Sequence, residues 1–384
     1  MRQPRLPIPR TARLIVALAI AATALLSLAH ADPARQACHA VSARTCEIAH
    51  DLGRGVNLGN VLDAPQEGDW GLRLEAALLA VPAGHFRTVR LPVRWSNHAA
   101  PGAEATLQEP FARRVDQAVD QLLAQGHYVI LNVHHYTQLT GGKLHPREFA
   151  VDPAVVETRL VSLWRQIALR YRDRSDRLLF ELLNEPHDAL SGERWNRLAA
   201  RALAAVRAVD AQRIVMIGPD EWNHPRGLHR LRLPRDPHLI AAIHSYDPFD
   251  FTHQAVPWRT PVLAGGRSCC DPGQRAQVAQ ALDQAMAWNR RSGVPMHLGE
   301  FGAYRAGDLV SRAAYARLVR DEAERRGLGW AWWELASDFS GVWEPQEGRW
   351  VEPLRRALLE PAANPVLPTQ ALREPARPRG QPAP

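Results

Sequence analysis

The chain has 384 residues, enough for one large domain or two ordinary ones, and a formal net charge of +7. Four arginines in residues 1–31 and a net two more positive charges in residues 361–384 account for nearly all of that excess. The body between is close to neutral, which removes the electrostatic argument for a nucleic-acid partner.

In chain order, Arg2, Arg5, Arg10 and Arg13 lead into the apolar run LIVALAIAATALLSLAHA, which closes on Ala29-His30-Ala31. A basic start, an apolar centre and a small-residue site predict a secretory signal peptide over 1–31, cut after Ala31. The run is short for a hydrocarbon core of about 30 Å. The expected location is secreted or periplasmic, with no stable membrane association after cleavage. Residues 32–52 read as an N-terminal extension holding Cys38 and Cys46, close enough for a local disulfide. Cys269 and Cys270 stay open as an adjacent pair or as partners for other cysteines, and no C-x₂-C spacing argues for zinc.

From residue 53 short apolar runs alternate with longer amphipathic ones. Strands are predicted in GRGVNLGN (53–60), FRTVRLPVRW (86–95), HYVILNVHH (127–135) and RLLFELLNE (177–185). RIVMIGPD (213–220), LIAAIHSYD (239–247), PMHLGEFG (295–302) and GWAWWELA (329–336) complete eight. Most gaps carry three- and four-residue apolar spacing, and Gly126, Gly293 and Gly327 stand where helix C-caps belong. The gap after the fifth strand, EWNHPRGLHRLRLPRDP, is broken by prolines and predicts no clear helix. Eight β–α repeats predict an α/β fold, a (β/α)8 TIM barrel forming a single catalytic domain over 53–360. A doubly wound sheet would want G-x-G-x-x-G after the first strand, where GVNLGN stands instead. The Pro-rich segment 361–384 predicts a disordered tail.

In such barrels chemistry sits where strands finish. The ends read Asn57 and Asn60; Arg90, Arg94 and Trp95; Asn132, His134 and His135; Asn184 and Glu185; His244 and Tyr246; Glu300; and Trp332, Trp333 and Glu334. Two carboxylates, from the fourth and seventh strands and facing each other across a cleft, are the equipment for glycoside hydrolysis. Glu185 leaves a greasy strand, and desolvation should lift its pKa from ~4.3 toward ~6, suiting a general acid. Glu300, as nucleophile, needs to be ionised, and Arg90 and Tyr246 are the groups available to hold it so. His244 and Tyr246, two apart, share a face. No cofactor motif and no metal site is read. His134 and His135, as strand neighbours, should point to opposite faces, and the His-x-His and Asp of a binuclear metallohydrolase barrel are missing from the first and eighth strands. Trp164, Trp195 and Trp288 fall in helices and read as core. Trp70, Trp222, Trp258 and Trp343 fall in loops, where sugar stacking competes with packing.

This set resembles glycoside hydrolase family 5, the cellulase-like retaining β-glycanases, over about 53–359. The carriers are RGVNLGN, the arginine of VRLPVRW (Arg90), the first histidine of NVHHY (His134), the N-E-P pair (Asn184, Glu185), H-x-Y (His244, Tyr246), G-E-F (Glu300) and the strand-eight tryptophan (Trp333). The resemblance implies that Glu300 attacks, that Glu185 serves as acid and then base, and that Arg90, His134, Asn184, His244, Tyr246 and Trp333 bind substrate. It implies Asn184 on the sugar 2-hydroxyl and a non-proline cis peptide after Trp333. Asn184 and Glu185 are sequential, so a bulge is expected to turn both into the cleft. The implied partner is a β-glucan oligosaccharide or polysaccharide met by a monomer, with β-mannan or another β-glycan as the alternative. A non-catalytic sugar-binding barrel would lack the acid or the nucleophile, and an exported scaffold tethered by its tail draws on the tail's composition alone.

Overall fold

A computed structural model describes residues 36–361; the predicted signal peptide and all but the first residue of the predicted tail lie outside them. Eight parallel strands close into a barrel in sequential order. They are β1 (Arg54–Asn57), β2 (Thr88–Leu91), β3 (Tyr128–Asn132), β4 (Leu178–Glu181), β5 (Val215–Ile217), β6 (Leu239–His244), β7 (Met296–Phe301) and β8 (Gly329–Trp332). Each predicted run contains its strand, but most strands are only three to five residues long, so the conspicuous motifs begin where pairing ends. A short antiparallel hairpin, β9 (Trp343–Glu344) with β10 (Arg349–Trp350), follows β8.

Helices cover the outside as the spacing predicts, from Glu109–Ala124 to Leu309–Arg325. The fifth connection holds only the 3₁₀ turn Pro225–His229. Gly293 caps its helix in the left-handed region, as a residue without Cβ can. Among the described residues, no helix is long and apolar enough to cross a membrane.

Alternation along each strand sorts the barrel wall. Val129, Leu131, Leu178, Phe180, Val215 and Ile217 join the large cluster under the helices. Ile130, Leu179, Met216, Ile240 and Ala242 form a second cluster together with Ile48, Ala49 and Leu52. Those last three belong to the helix Ala43–Asp51 and its C-cap, an element the sequence reading did not anticipate. It is capped by Ser42, whose side chain accepts from the Thr45 amide, and it packs beneath the barrel at the strands' N-terminal ends. The preceding chain is laced to the same end: the Gln36 side chain bonds the Met296 and Gly327 backbone, and Asn289 bonds Ala37. Cys38 is joined to Cys46, and Cys269 to Cys270.

Higher in the barrel the same alternating positions become polar: Asn57, Arg90, Asn132, Glu181 and His244, all buried. Register places Asn57 beside Arg90, Asn132 beside Glu181, and His244 beside Glu300. The interior therefore runs from apolar at the plugged end to charged at the C-terminal mouth.

Candidate active site

Arg90 organises the mouth. Its Nε donates to Glu181 at 2.7 Å, one terminal nitrogen donates to Glu300 at 2.6 Å and Asn57 at 2.9 Å, and the other donates to Asn184 at 2.8 Å. The guanidinium is fully buried, and the two acids repay the burial of its charge. Glu181 also accepts from Asn132 at 3.1 Å, while its second oxygen has no partner among the described residues.

Glu300 and Glu185 face each other above this arginine. Glu300 accepts from the Tyr246 hydroxyl at 2.8 Å. Glu185 lies 2.9 Å from Nδ1 of His244, whose Nε2 meets the Asn223 amide at 3.5 Å. An amide nitrogen at Nε2 leaves the ring proton on Nδ1, so His244 donates to Glu185. One carboxylate oxygen of each glutamate and a His244 nitrogen all lie within 4.8 Å of one another.

The electrostatics follow from this packing. Burial, and then the facing charge of Glu300, raise Glu185 well above the ordinary carboxyl range. Burial also lifts Glu300, to about 7, although Arg90 and Tyr246 pull it down. The expected rise at Glu185 is thus present. The ionising partners expected for Glu300 are in place, but they do not hold it at an ordinary acid value. Burial lowers His134 and His244 far below their usual pKa, so both rings are neutral.

The bulge expected at Asn184–Glu185 is absent: β4 pairing ends at Glu181, and the described register shifts lie in β6–β7 and β7–β8. Glu185 instead takes a left-handed backbone, φ +47°, which turns successive side chains into one cleft. The peptide Trp333–Glu334 is cis. A Cβ on Gly302 would collide with the Trp333 carbonyl oxygen, so glycine is required where β7 passes that peptide. The Trp333 ring stacks on His134, with centroids 5.3 Å apart and planes 7° off parallel.

The structure brings Arg90, Asn184, Glu185, His244, Tyr246 and Glu300 into one hydrogen-bonded set, with His134 and Trp333 stacked beside it. The expectation for His135 fails. β3 stops at Asn132, alternation lapses, and the His134 and His135 rings meet edge to face at 4.6 Å. His135 then reaches 3.8 Å from buried Asp63. Asp63, His134 and His135 offer metal-ligand atoms within 4.8 Å, but His134 Nδ1 faces the Asn132 amide nitrogen, which leaves the proton on its other nitrogen as a donor. Cys38, Cys46 and His50 form a third such group, its thiols consumed by the disulfide.

Sequence reasoning missed Glu181, an acid at an inward position of an apolar strand, four residues before Glu185. It gave no role to Glu334, whose buried carboxyl is pushed up to about 8, chiefly by burial, and bonds Ser337. Of the loop tryptophans, Trp70, Trp222 and Trp258 are exposed, and Trp343 is half-buried against Trp350. Three left-handed residues in succession, Glu221 to Asn223, present Trp222, which stacks on His187 at 4.8 Å. Trp164, Trp195 and Trp288 are core.

A family model described as cellulase (glycosyl hydrolase family 5) matches residues 54–338. Endoglucanase H of Acetivibrio thermocellus is 32% identical over 292 residues, 75% of this chain and 30% of that protein. The chain covers 38% of the cellulase/esterase CelE of the same organism, so it spans about a third of the length of these two curated relatives. Among solved structures, an endoglucanase superposes with TM-score 0.78 at 34% identity, covering 83% of this chain and all of that one. Thermotoga maritima Cel5A, in complex with mannotriose substrate, gives 0.76 at 36% identity, covering 82% and 99%.

Proposed function

The chain belongs to glycosyl hydrolase family 5, and we propose that it cleaves β-1,4-glucan internally, as an endoglucanase working by double displacement. The observation that carries this reading is the pair of carboxylates, Glu185 and Glu300, with oxygens within 4.8 Å. Retaining glycosidases hold their carboxyl groups about 5–5.5 Å apart, and inverting ones about 6.5–9.5 Å to admit a water.

In the first step a Glu300 oxygen attacks the anomeric carbon, the glycosidic C–O bond breaks, and the Glu185 proton passes to the departing oxygen. In the second, Glu185 takes a proton from water, the water oxygen bonds to the same carbon, and the bond to Glu300 breaks. Arg90 and Tyr246 offset charge on Glu300 while it is ionised and receive it again as a leaving group. His244 orients Glu185. Asn184, whose oxygen is occupied by Arg90, has its amide hydrogens free to donate to a sugar hydroxyl. Trp333, locked against His134, offers its remaining face as a platform for a ring.

β-Mannan is the second reading, favoured by the mannotriose bound to the 36%-identical neighbour. Export is proposed from residues 1–31 alone. The test is reducing-sugar release from carboxymethyl cellulose, lichenan, mannan and xylan. Glu300→Gln should lose all activity, and Glu185→Gln about 10²–10⁴-fold. On a dinitrophenyl cellobioside, whose leaving group needs no proton, Glu185→Gln should keep the first step, seen as a burst of dinitrophenol, and be slow in the second, where the base is missing. Variants as active as wild type on the preferred glycan would refute the assignment.

A further inference from the structure

Beside the mouth, between the loops that follow β1, β7 and β8, lies a cavity of about 330 Å³. That is the small end of the range for ligand pockets, about 300–1,000 Å³. Trp70, Leu72 and Trp343 give it apolar walls, and Arg312, Ser337 and Glu344 give it polar ones. Two of these also belong to the catalytic rim: Trp70 lies edge-on to His135 at 5.8 Å, and Ser337 bonds Glu334.

Arg312 is the unusual member. It is buried, yet its only side-chain hydrogen bond among the described residues runs from Nε to the Ala303 carbonyl at 3.2 Å. Among the described residues no carboxylate lies within ion-pairing distance of it, whereas its neighbour Arg305 is closed off by Asp338 at 2.6 Å. Burial, the largest cause, brings Arg312 down to about 10, with Glu344 partly opposing. Its two terminal nitrogens make no hydrogen bond among the described residues, and the side chain lines the cavity, where a ligand could supply acceptors. Glu344 makes no side-chain bond among the described residues and offers acceptors in return. The charges in the cavity balance, two arginines against Asp338 and Glu344, so an anion gains nothing there.

We propose that this cavity is a remote subsite for a neutral hexopyranose unit, held by Arg312 and Glu344 against the aromatic walls; the inference rests on the glycanase reading above. Polyhydroxylated rings are recognised by this pairing of aromatic faces with a donor and an acceptor. In a closed barrel of eight strands β4 lies opposite β8. The cavity is thus across the mouth from Glu185, on the side away from the leaving group. The occupant is a distal, non-reducing unit of the same chain, and the consequence is a preference for longer substrates.

The experiment measures kcat/KM on cello-oligosaccharides of three to six units for wild type, Arg312→Met, Arg312→Lys and Glu344→Gln. Wild type should gain with each added unit until the cavity is filled. Arg312→Met should lose about tenfold on the longest substrates, the worth of one charge-assisted hydrogen bond, and nothing on the shortest. Arg312→Lys should recover part of the loss. Calorimetric titration of cellohexaose into Glu300→Gln, with and without Arg312→Met, should reproduce the difference in binding alone. A length profile in Arg312→Met identical to wild type, or a loss equal at every length, overturns the subsite. Wild type that cleaves none of these chains removes the β-1,4-glucanase reading itself, a different result.

Discussion

At the residue scale, the mouth is one buried charge network in which Arg90 ties Glu181 and Asn184 of the fourth βα unit to Glu300 of the seventh. Glu181 makes no hydrogen bond to Glu185 or Glu300, yet its charge raises both. Replacing it with Gln keeps an acceptor for Arg90 and removes that charge. Both limbs of the pH–activity profile should then move to lower pH, by a shift visible against wild type, whereas mere loosening would lower the height without moving the limbs. Glu181 was not legible as a site residue because, within the apolar run RLLFELLNE, nothing local says that position 181 faces inward. Asn184, Glu185, His244, Tyr246 and Glu300 were legible because each ends an apolar run with a group that burial penalises. His135 was misread because strand alternation was carried beyond Asn132, the last paired residue of β3.

At the scale of elements, eight strands and most covering helices could be read from apolar spacing, since parallel strands buried on both faces leave continuous runs. The helix Ala43–Asp51 could not, because its apolar residues match no outer layer: they face the end of the barrel, a partner invisible until the sheet closes. The plug and the mouth are opposite ends of one interior, so their roles should separate. Ile48→Ala should cost about 2–5 kcal/mol in denaturant unfolding, as a fully buried large-to-small change does. The same variant should keep kcat and the pH profile of wild type. A variant equally stable would deny the helix its part in the core.

The whole molecule carries two opposed sets of buried titrating groups. Among the described residues, seven imidazoles, including His98 at about 4 and His253 and His297 at about 3, are held below their usual value by burial. Unfolding lets them take up protons, so their contribution to stability grows as pH rises to about 6.5. Asp63 at about 6, Glu300 at about 7 and Glu334 at about 8 are raised, with Glu185. The folded form holds their protons more tightly, so their contribution is complete below about 4.5 and is lost as pH rises through those values. The imidazoles outnumber the carboxyls, and the falling limb acts alone above their range. Tm against pH should therefore peak near 6.5 and decline toward 8; a Tm still climbing at pH 8 would contradict the burial of these acids.

The account rests most heavily on the separation of Glu185 and Glu300, and the anomer first released reports on it directly. Proton NMR recorded within the first turnovers of a cello-oligosaccharide, before mutarotation, should show the new reducing end in the β configuration, because attack by Glu300 followed by attack of water restores the starting stereochemistry. Release of the α anomer would mean a single displacement by water and would contradict the reading of a pair in which one oxygen of each carboxylate lies within 4.8 Å of the other.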